Sequence, residues 1–284
     1  MKAPAFHYVR PRSLPEAAAV LAEHGDGARI LAGGQSLMPA LNMRLSAPQV
    51  LVDLNKIEAL AGISLEGERL RIGAMTRHAD VERSPLVAGH APLIAQAIPH
   101  IAHPAIRNRG TFGGSLCFAD PAAELPACVV ALGAKLLLQS TRGSRKVDAG
   151  EFFRGLYRTA LSSDEILVAA EIPIAASAEK FGFAELSRRH GDYAIVGVCA
   201  QAAMQEGVFD RARLVYFGVG DAPVVGKAAA AALQGGQNRD ETRRAACEAL
   251  GRDLDPPSDF HADAAMRVHL AKVLSRRILE SFAE

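Results

Sequence analysis

Tryptophan is absent from the sequence, and cysteine is scarce. The cysteines form no CxxC or CxxxxC pair and lie in apolar surroundings; they are Cys117, Cys128, Cys199 and Cys247. Iron–sulfur and structural zinc sites need closely spaced thiolates, so we expect buried free thiols here. His100 and His103 form an HxxH pair, but Pro104 follows directly and no acidic partner is near. We therefore expect no metal site in this chain.

The sequence also has no excess of charge of one sign and no long apolar run. The formal net charge is +1 and both signs are scattered. No basic face indicates nucleic-acid binding, and no polybasic run indicates a membrane surface. No apolar stretch approaches the roughly 20 residues of a membrane-spanning helix, and no hydrophobic signal core precedes Pro11. These absences predict a cytoplasmic protein without nucleic-acid binding or membrane insertion.

The 284 residues, about half of them hydrophobic, are enough for two modest domains. The first segment predicts a β-α-β-type unit. Ser13 and Glu16 have the spacing of a helix capping box, and Gly25 is placed to end that helix. Apolar strands are expected in ARILA, before Gly33, and in QVLVDL. The glycine pair thus follows the carboxyl end of a strand, where ligands gather in open α/β sheets.

The remaining chain predicts two further α+β segments. In residues 58–176 we expect strands in RLRIGAMT, AKLLLQS, SRKVDAGEFF and EILVAAEIPI, a mostly helical SPLVAGHAPLIAQAIPHIA, and a buried helix near ELPACVVALG. The small and polar run AASAEK indicates a joint at about 176–180. Residues 177–284 predict three antiparallel strands, with helices over 224–234, 239–251 and 263–282 packed on one side.

Two glycine turns occur in the chain, LAGGQSLMP at 31–39 and TFGGSLCFA at 111–119. Glycine is used where φ is positive or where another atom approaches the backbone closely, and bare amides at a helix start bind anions. In the first turn the donors would be the amides of residues 33–36 and the Ser36 hydroxyl. In the second they would be the amides of residues 111–115 with the hydroxyls of Thr111 and Ser115.

Neither turn matches the common phosphate motifs, because both GxxxxGK[ST] and GxGxxG are absent. Each turn alone also has a simpler interpretation, a tight strand-to-helix connection without a ligand. The occurrence of two such turns, both followed by hydroxyl and apolar residues, favours a diphosphate bound from two sides. The residues alone therefore predict a dinucleotide or other diphosphate at a subdomain interface.

A resemblance to a known family is carried by AGGQSLMPALNMRL, IGAMTRHAD, AHPAIRNRGTFGGSLCFADPAAELPA and SRRHGDYAIVG. These segments resemble the FAD-binding medium subunits of molybdenum hydroxylases, of the xanthine dehydrogenase, carbon monoxide dehydrogenase and quinoline oxidoreductase type. The resemblance runs along essentially the whole chain. It implies an α+β fold: a vanillyl-alcohol-oxidase (PCMH) type FAD-binding domain over 1–176, with subdomains of about 1–57 and 58–176, and a C-terminal α+β domain over 177–284.

Position by position, the resemblance implies that the following residues contact FAD: Ala32, Gly33, Gly34, Gln35, Ser36, Leu37, Gly73, Ala74, Thr111, Gly113, Gly114, Ser115, Asp120, Glu124 and Tyr193. Glu124 stands where several relatives have Asp, at a position that hydrogen-bonds the ribityl or adenosine side. Asp120 is a second candidate there, its alternative being an N-cap of the helix after Pro121. Tyr193 falls where the isoalloxazine ring is approached, its alternative being an ordinary strand tyrosine.

The resemblance also implies a division of labour in a heterotrimer. A large subunit would hold the molybdenum cofactor and a small subunit two [2Fe–2S] clusters, the whole a dimer of heterotrimers. This chain would hold FAD and pass electrons to an external acceptor, so no catalytic side chain is assigned to it. Alternatives are a self-contained FAD-dependent oxidoreductase of the same fold and a cofactor-free scaffold. The acceptor and the substrate (CO, a purine, another N-heterocycle or an aldehyde) stay open.

Overall fold

A computed structural model describes residues 2–283. These residues form three sheets of three to five strands, each with its own helices, and one separate two-stranded pair. The first sheet is parallel, with strand order β1-β3-β2. Its elements are β1 (His7–Val9), α1 (Leu14–His24), β2 (Ala28–Leu31), α2 (Leu37–Asn42) and β3 (Val50–Asp53). The capping prediction for α1 is confirmed, since Ser13 Oγ accepts from the Glu16 amide at 3.3 Å and Gly25, at φ +47°, ends the helix.

The second sheet is antiparallel and five-stranded, with order β4-β5-β10-β6-β7. Its elements are β4 (Ile63–Glu66), β5 (Arg69–Gly73), α3 (His78–Arg83), α4 (Pro85–His90), α5 (Pro92–Ala97), α6 (Pro104–Arg107), α7 (Phe112–Phe118), α8 (Glu124–Ala131), β6 (Lys135–Ser140), β7 (Gly143–Asp148), α9 (Ala149–Phe152), β8 (Phe153–Gly155), β9 (Arg158–Thr159) and β10 (Ile166–Pro173). Strands β8 and β9 form a separate pair. The buried helix is confirmed: every residue of α8 is buried.

Proline divides the predicted helical stretch in this second unit. The helix α4 ends before Pro92, α5 begins there, and a 3₁₀ turn containing Pro99 follows. Proline lacks the amide hydrogen that a continuous helix needs, but it fits the first turn of a new helix. The region therefore forms short helices that pack their apolar faces into the core beneath β5.

The third sheet is also antiparallel, with order β11-β12-β13-β14. Its elements are β11 (Glu179–Leu186), β12 (Val196–Gln205), β13 (Val208–Phe217), β14 (Val224–Val225), α10 (Lys227–Leu233), α11 (Asp240–Ala249) and α12 (Ala264–Ser281). The three predicted strands and three predicted helices are present, and the two-residue β14 adds a fourth strand. Strand β11 begins at Glu179, inside the joint expected at 176–180.

Helices cover both faces of this third sheet. The C-terminal helices α10 and α12 contact one face, and α5 and α8 of the second unit contact the other. Cys128 of α8 and Cys199 of β12 meet there, with their sulfur atoms 3.6 Å apart and no disulfide between them. The prediction of one-sided packing holds for the sheet's own helices only, because the sheet is buried on both sides between two parts of the chain.

Cys247 is buried as well, and Cys117 is half-buried. Within residues 2–283 no group of three or more His, Cys, Asp or Glu side chains is arranged to hold a metal ion. Over the same residues, no helix combines the length and the apolar character needed to cross a bilayer.

Candidate functional site

The first glycine turn presents a row of unused backbone donors. It connects β2 to α2, and Gly34 adopts φ +73°, which favours glycine. Among residues 2–283, none accepts a hydrogen bond from the amides of residues 33–37. Ser36 precedes α2 without capping it through its side chain, so its hydroxyl is also available. Successive free amides of this kind form an anion-binding concavity.

The second glycine turn differs from the sequence prediction, because four of its five expected donor amides are already used. The segment 111–113 runs beside 74–77, so closely that a Cβ on Gly113 would lie 2.4 Å from Ala74 Cβ. The turn keeps the Thr111 amide and the Ser115 hydroxyl as available groups. The used amides and their acceptors are Phe112 with Thr76 O (2.9 Å), Gly113 with Ala74 O (2.8 Å), Gly114 with Thr111 Oγ1 (3.2 Å) and Ser115 with Thr111 O (3.1 Å).

The two turns lie side by side. A Cβ on Gly33 would stand 2.3 Å from the carbonyl oxygen of Arg109, and a Cβ on Gly114 would stand 3.7 Å from Ala32 Cβ. Gly73 lies just before Ala74, on which Gly113 packs, and a Cβ on Gly73 would stand 2.4 Å from Leu60 O. Close backbone approach therefore requires glycine at Gly33 and Gly73.

A cleft of about 560 Å³ opens in front of the first turn. Its walls include Tyr8 and Asp53 of the first sheet, Met38 of α2, and Arg109 just before the second turn.

His78 stands behind the second turn: its Nε2 lies 2.9 Å from the carbonyl oxygen of Thr111, which makes Nε2–H the donor. Burial lowers the pKa of His78 to about 4, so the ring is neutral. Arg109, and not His78, therefore supplies the positive charge in the wall of the cleft.

Asp120, Glu124 and Tyr193 form a second group, around Tyr157. The Tyr157 hydroxyl donates to Asp120 Oδ2 at 3.3 Å, and the Ala122 amide donates to Asp120 Oδ1 at 2.9 Å. Asp120 does not cap α8, whose N-cap is Ala123. Tyr193 lies in the loop between β11 and β12, and 64% of its surface is exposed. The alternative interpretations of Asp120 and Tyr193, as a cap and as a strand residue, are therefore wrong.

Glu124 is the first residue of α8 and is buried. Its burial, and then the negative charges of Glu185 and Asp120, raise the pKa of Glu124 to about 8. At neutral pH this carboxyl retains its proton and can donate a hydrogen bond. Glu185 is buried beside it: one of its oxygens lies 3.3 Å from His100 Nδ1 and the other has no partner among residues 2–283.

The structure therefore gathers the predicted residues into two groups. Residues 32–35 line the first cleft, and residues 73–74 and 111–115 pack behind the first turn without lining it. Asp120, Glu124 and Tyr193 lie together beside Tyr157. Three further residues lie in these groups that no motif spacing in the sequence singles out. Asn55 lines the cleft, Arg77 donates to Asn55 Oδ1, and Tyr157 donates to Asp120.

Comparison with known proteins places the chain in a family. Residues 4–175 match the family described as "FAD binding domain in molybdopterin dehydrogenase", and residues 181–282 match "CO dehydrogenase flavoprotein C-terminal domain". The chain belongs to the flavoprotein family of molybdopterin dehydrogenases. The expected resemblance and the α+β fold class are confirmed. FAD is the cofactor of this family, and the five free amides of the first turn, with Arg109 in the wall of the cleft, fit its diphosphate.

Relatives cover nearly the full chain. The 6-hydroxypseudooxynicotine dehydrogenase complex subunit alpha of Paenarthrobacter nicotinovorans is 39% identical over 98% of this chain and 95% of its own. The carbon monoxide dehydrogenase medium chain of Hydrogenophaga pseudoflava is 34% identical over 98% and 97%. Among solved structures, carbon monoxide dehydrogenase from H. pseudoflava superimposes with a TM-score of 0.96 at 36% identity, covering 99% of this chain and 98% of that one. Quinoline 2-oxidoreductase from Pseudomonas putida 86 gives 0.94 at 40%, with the same coverage.

Proposed function

We propose that this chain is the electron-transfer subunit of a heterotrimeric molybdenum hydroxylase. It takes electrons from [2Fe–2S] clusters of a small partner subunit and passes them to an external acceptor. The observation that carries the proposal is the full-length likeness to medium chains of such enzymes, together with a built anion site at the first glycine turn. A self-contained oxidoreductase is disfavoured because the relatives above are named as a complex subunit and a medium chain.

We infer that the chain's own residues bind and orient FAD, which supplies the redox chemistry when bound. The free amides of residues 33–37 hold the diphosphate, with the hydroxyls of Ser36 and Ser115 beside them. The protonated carboxyl of Glu124 donates a hydrogen bond to the ribityl or adenosine side, and Asp120 accepts one. Tyr193 lies beside the isoalloxazine ring, in the loop that reaches back from the third sheet. No side chain acts as a nucleophile, general acid or general base on a substrate.

We propose the following assembly. A large molybdopterin subunit and a small iron–sulfur subunit complete the enzyme, as a dimer of heterotrimers in the cytoplasm. The FAD-binding domain comprises residues 1–176, with subdomains of about 1–57 and 58–176, and residues 177–284 form the C-terminal domain. The support for this division is that each of the three larger sheets falls within one of these ranges.

Reconstitution of the purified chain with FAD tests the proposal. We expect non-covalent binding of one FAD per chain, seen as flavin absorbance that stays with the protein through gel filtration and is released on denaturation. Covalent attachment is not expected, because neither Cys nor His is among the residues assigned to FAD. A colourless protein that takes up no FAD at micromolar concentration would contradict the assignment.

A further inference from the structure

Asn55 links the first glycine turn to the rest of the site. It follows β3, and its Nδ2 donates to the carbonyl oxygen of Ala32 at 2.9 Å. Asp53 fixes the orientation of the amide, because Asp53 Oδ1 accepts from both the Asn55 backbone amide (2.9 Å) and Nδ2 (2.5 Å). Asp53 is itself held by the Tyr8 hydroxyl. The amide therefore directs its donor to the first turn and its carbonyl oxygen, Oδ1, away from it.

Arg77 continues this link to the second turn. Its Nη2 donates to Asn55 Oδ1 at 2.5 Å, and its Nη1 donates to the carbonyl oxygen of Arg109. That carbonyl oxygen is the atom against which Gly33 packs. The Arg77 guanidinium therefore connects Asn55, which binds Ala32, to Arg109, which contacts Gly33. Because a guanidinium is rigid and planar, its two donors set a fixed separation between the groups they bind.

Arg77 forms no direct ion pair with a carboxylate among residues 2–283. Within residues 2–283, neither Arg77 nor Arg109 forms an ion pair, since Asp80 pairs with Arg83 and Asp53 with Arg10. Burial and then the positive charge of Arg109 lower the pKa of Arg77, while the more weakly acting carboxylates of Asp80 and Asp53 oppose this shift. Two guanidinium groups without a direct ion-pair partner among residues 2–283 therefore lie near the first turn, Arg109 in the wall of the cleft and Arg77 behind it. Such an excess of positive charge is favourable where an anion binds.

We propose that Asn55 and Arg77 are positioning residues for the diphosphate of FAD. Their hydrogen bonds set the spacing between the two glycine turns, and the Arg77 charge attracts the diphosphate. The inference rests on the proposed FAD binding and adds to it the two residues that fix the spacing between the glycine turns. A purely structural alternative is that the same bonds stabilise the fold whether or not an anion binds.

Four variants separate these roles. Asn55→Ala removes the hydrogen bonds of Asn55 and keeps the Arg77 charge. Arg77→Lys also keeps the charge but loses the two-donor guanidinium that bridges Asn55 and Arg109. Arg77→Met loses both. Arg244→Met is the matched control, because Arg244 is exposed on α11 of the third unit and, within residues 2–283, pairs only with Asp240. The readouts are the FAD dissociation constant from flavin fluorescence, its dependence on NaCl, and the melting temperature of the FAD-free chain.

We expect Asn55→Ala and Arg77→Lys to weaken FAD binding about tenfold each, the loss of about one net hydrogen bond. The double variant Asn55→Ala/Arg77→Lys is expected to bind about as weakly as either single one, since both act on one link. Arg77→Met is expected to weaken binding about a hundredfold and to lower the salt dependence, which Arg77→Lys keeps. Wild-type affinity in Arg77→Met, or equal losses in Arg77→Met and Arg244→Met, overturns the inference. If the wild-type chain itself binds no FAD, the proposed function fails instead.

Discussion

At the scale of single residues, Glu124 makes a pH-dependent contribution to stability. Its pKa is raised to about 8 in the fold, first by burial and then by Glu185 and Asp120, against 4.5 ordinarily. Between these values the native carboxyl is protonated and the unfolded one is not, so folding takes up a proton. The contribution of Glu124 to the free energy of unfolding therefore falls as pH rises from about 4.5 to 8, and levels off above that.

We expect Glu124→Gln to match the wild type at about pH 5 and to exceed it by about 2–4 kcal/mol at about pH 9, because the amide carries no charge to bury. Urea unfolding of the FAD-free protein at both pH values measures the difference. Glu151→Gln, on the exposed side of α9, serves as the control. A gap between Glu124→Gln and wild type that does not change with pH would show that Glu124 titrates normally.

Single residues also mark how far the sequence could predict the site. Gly33 and Gly73 could be found because glycine next to glycine, or within a family motif, is visible in the chain itself. Asn55 and Arg77 could not, since their partners Ala32 and Arg109 lie 23 and 32 residues away along the chain. Such contacts depend on how the first and second sheets pack, which no local spacing reports.

At the scale of elements, two capped helices allow stability to be separated from binding. Thr111 Oγ1 caps α7 at the second turn, and Ser13 Oγ caps α1 away from the cleft. We expect Thr111→Val and Ser13→Ala each to lower the free energy of unfolding by about 1 kcal/mol. Only Thr111→Val is expected to weaken FAD binding, about tenfold, with Thr111→Ser restoring it. Urea unfolding measures the stability and FAD titration measures the affinity. Equal affinity for FAD in Thr111→Val and Ser13→Ala would show that α7 does not contribute to FAD binding.

Elements with strong local signals were predictable, and those formed by tertiary packing were not. The caps of α1 and the apolar run of α8 are local, and both helices begin close to the predicted residues. Strand β1 is short and largely exposed, and β14 has two residues, so neither has enough pattern to indicate a strand. The second turn resembles the first in sequence, yet its amides bond to residues 74 and 76, which changes what it can bind.

At the scale of the whole molecule, the two regions matched by the family share one core. Helices α5 and α8 cover the inner face of the third sheet, and Cys199, Val215 and Phe217 of that sheet join the core of the second unit. The loop with Tyr193 leaves this sheet and lies close enough to Asp120 and Glu124 of the second unit for their negative charges to act on its phenol. The second group of predicted residues therefore exists only when both regions are folded together.

The final prediction concerns the complete enzyme. If this chain carries electrons between partners, its flavin is reduced by substrate only when a molybdopterin subunit and an iron–sulfur subunit are present. We expect an affinity-tagged chain, purified from its native host, to bring down two further chains with molybdenum and iron. We also expect the isolated chain, loaded with FAD, to bleach with dithionite but not with the substrate that bleaches the complex. Arg77→Met, for which we expect weak FAD binding, is also expected to leave the three chains associated while the complex loses flavin. Substrate turnover by the isolated chain would refute the electron-transfer assignment, because no partner is then needed to deliver the electrons.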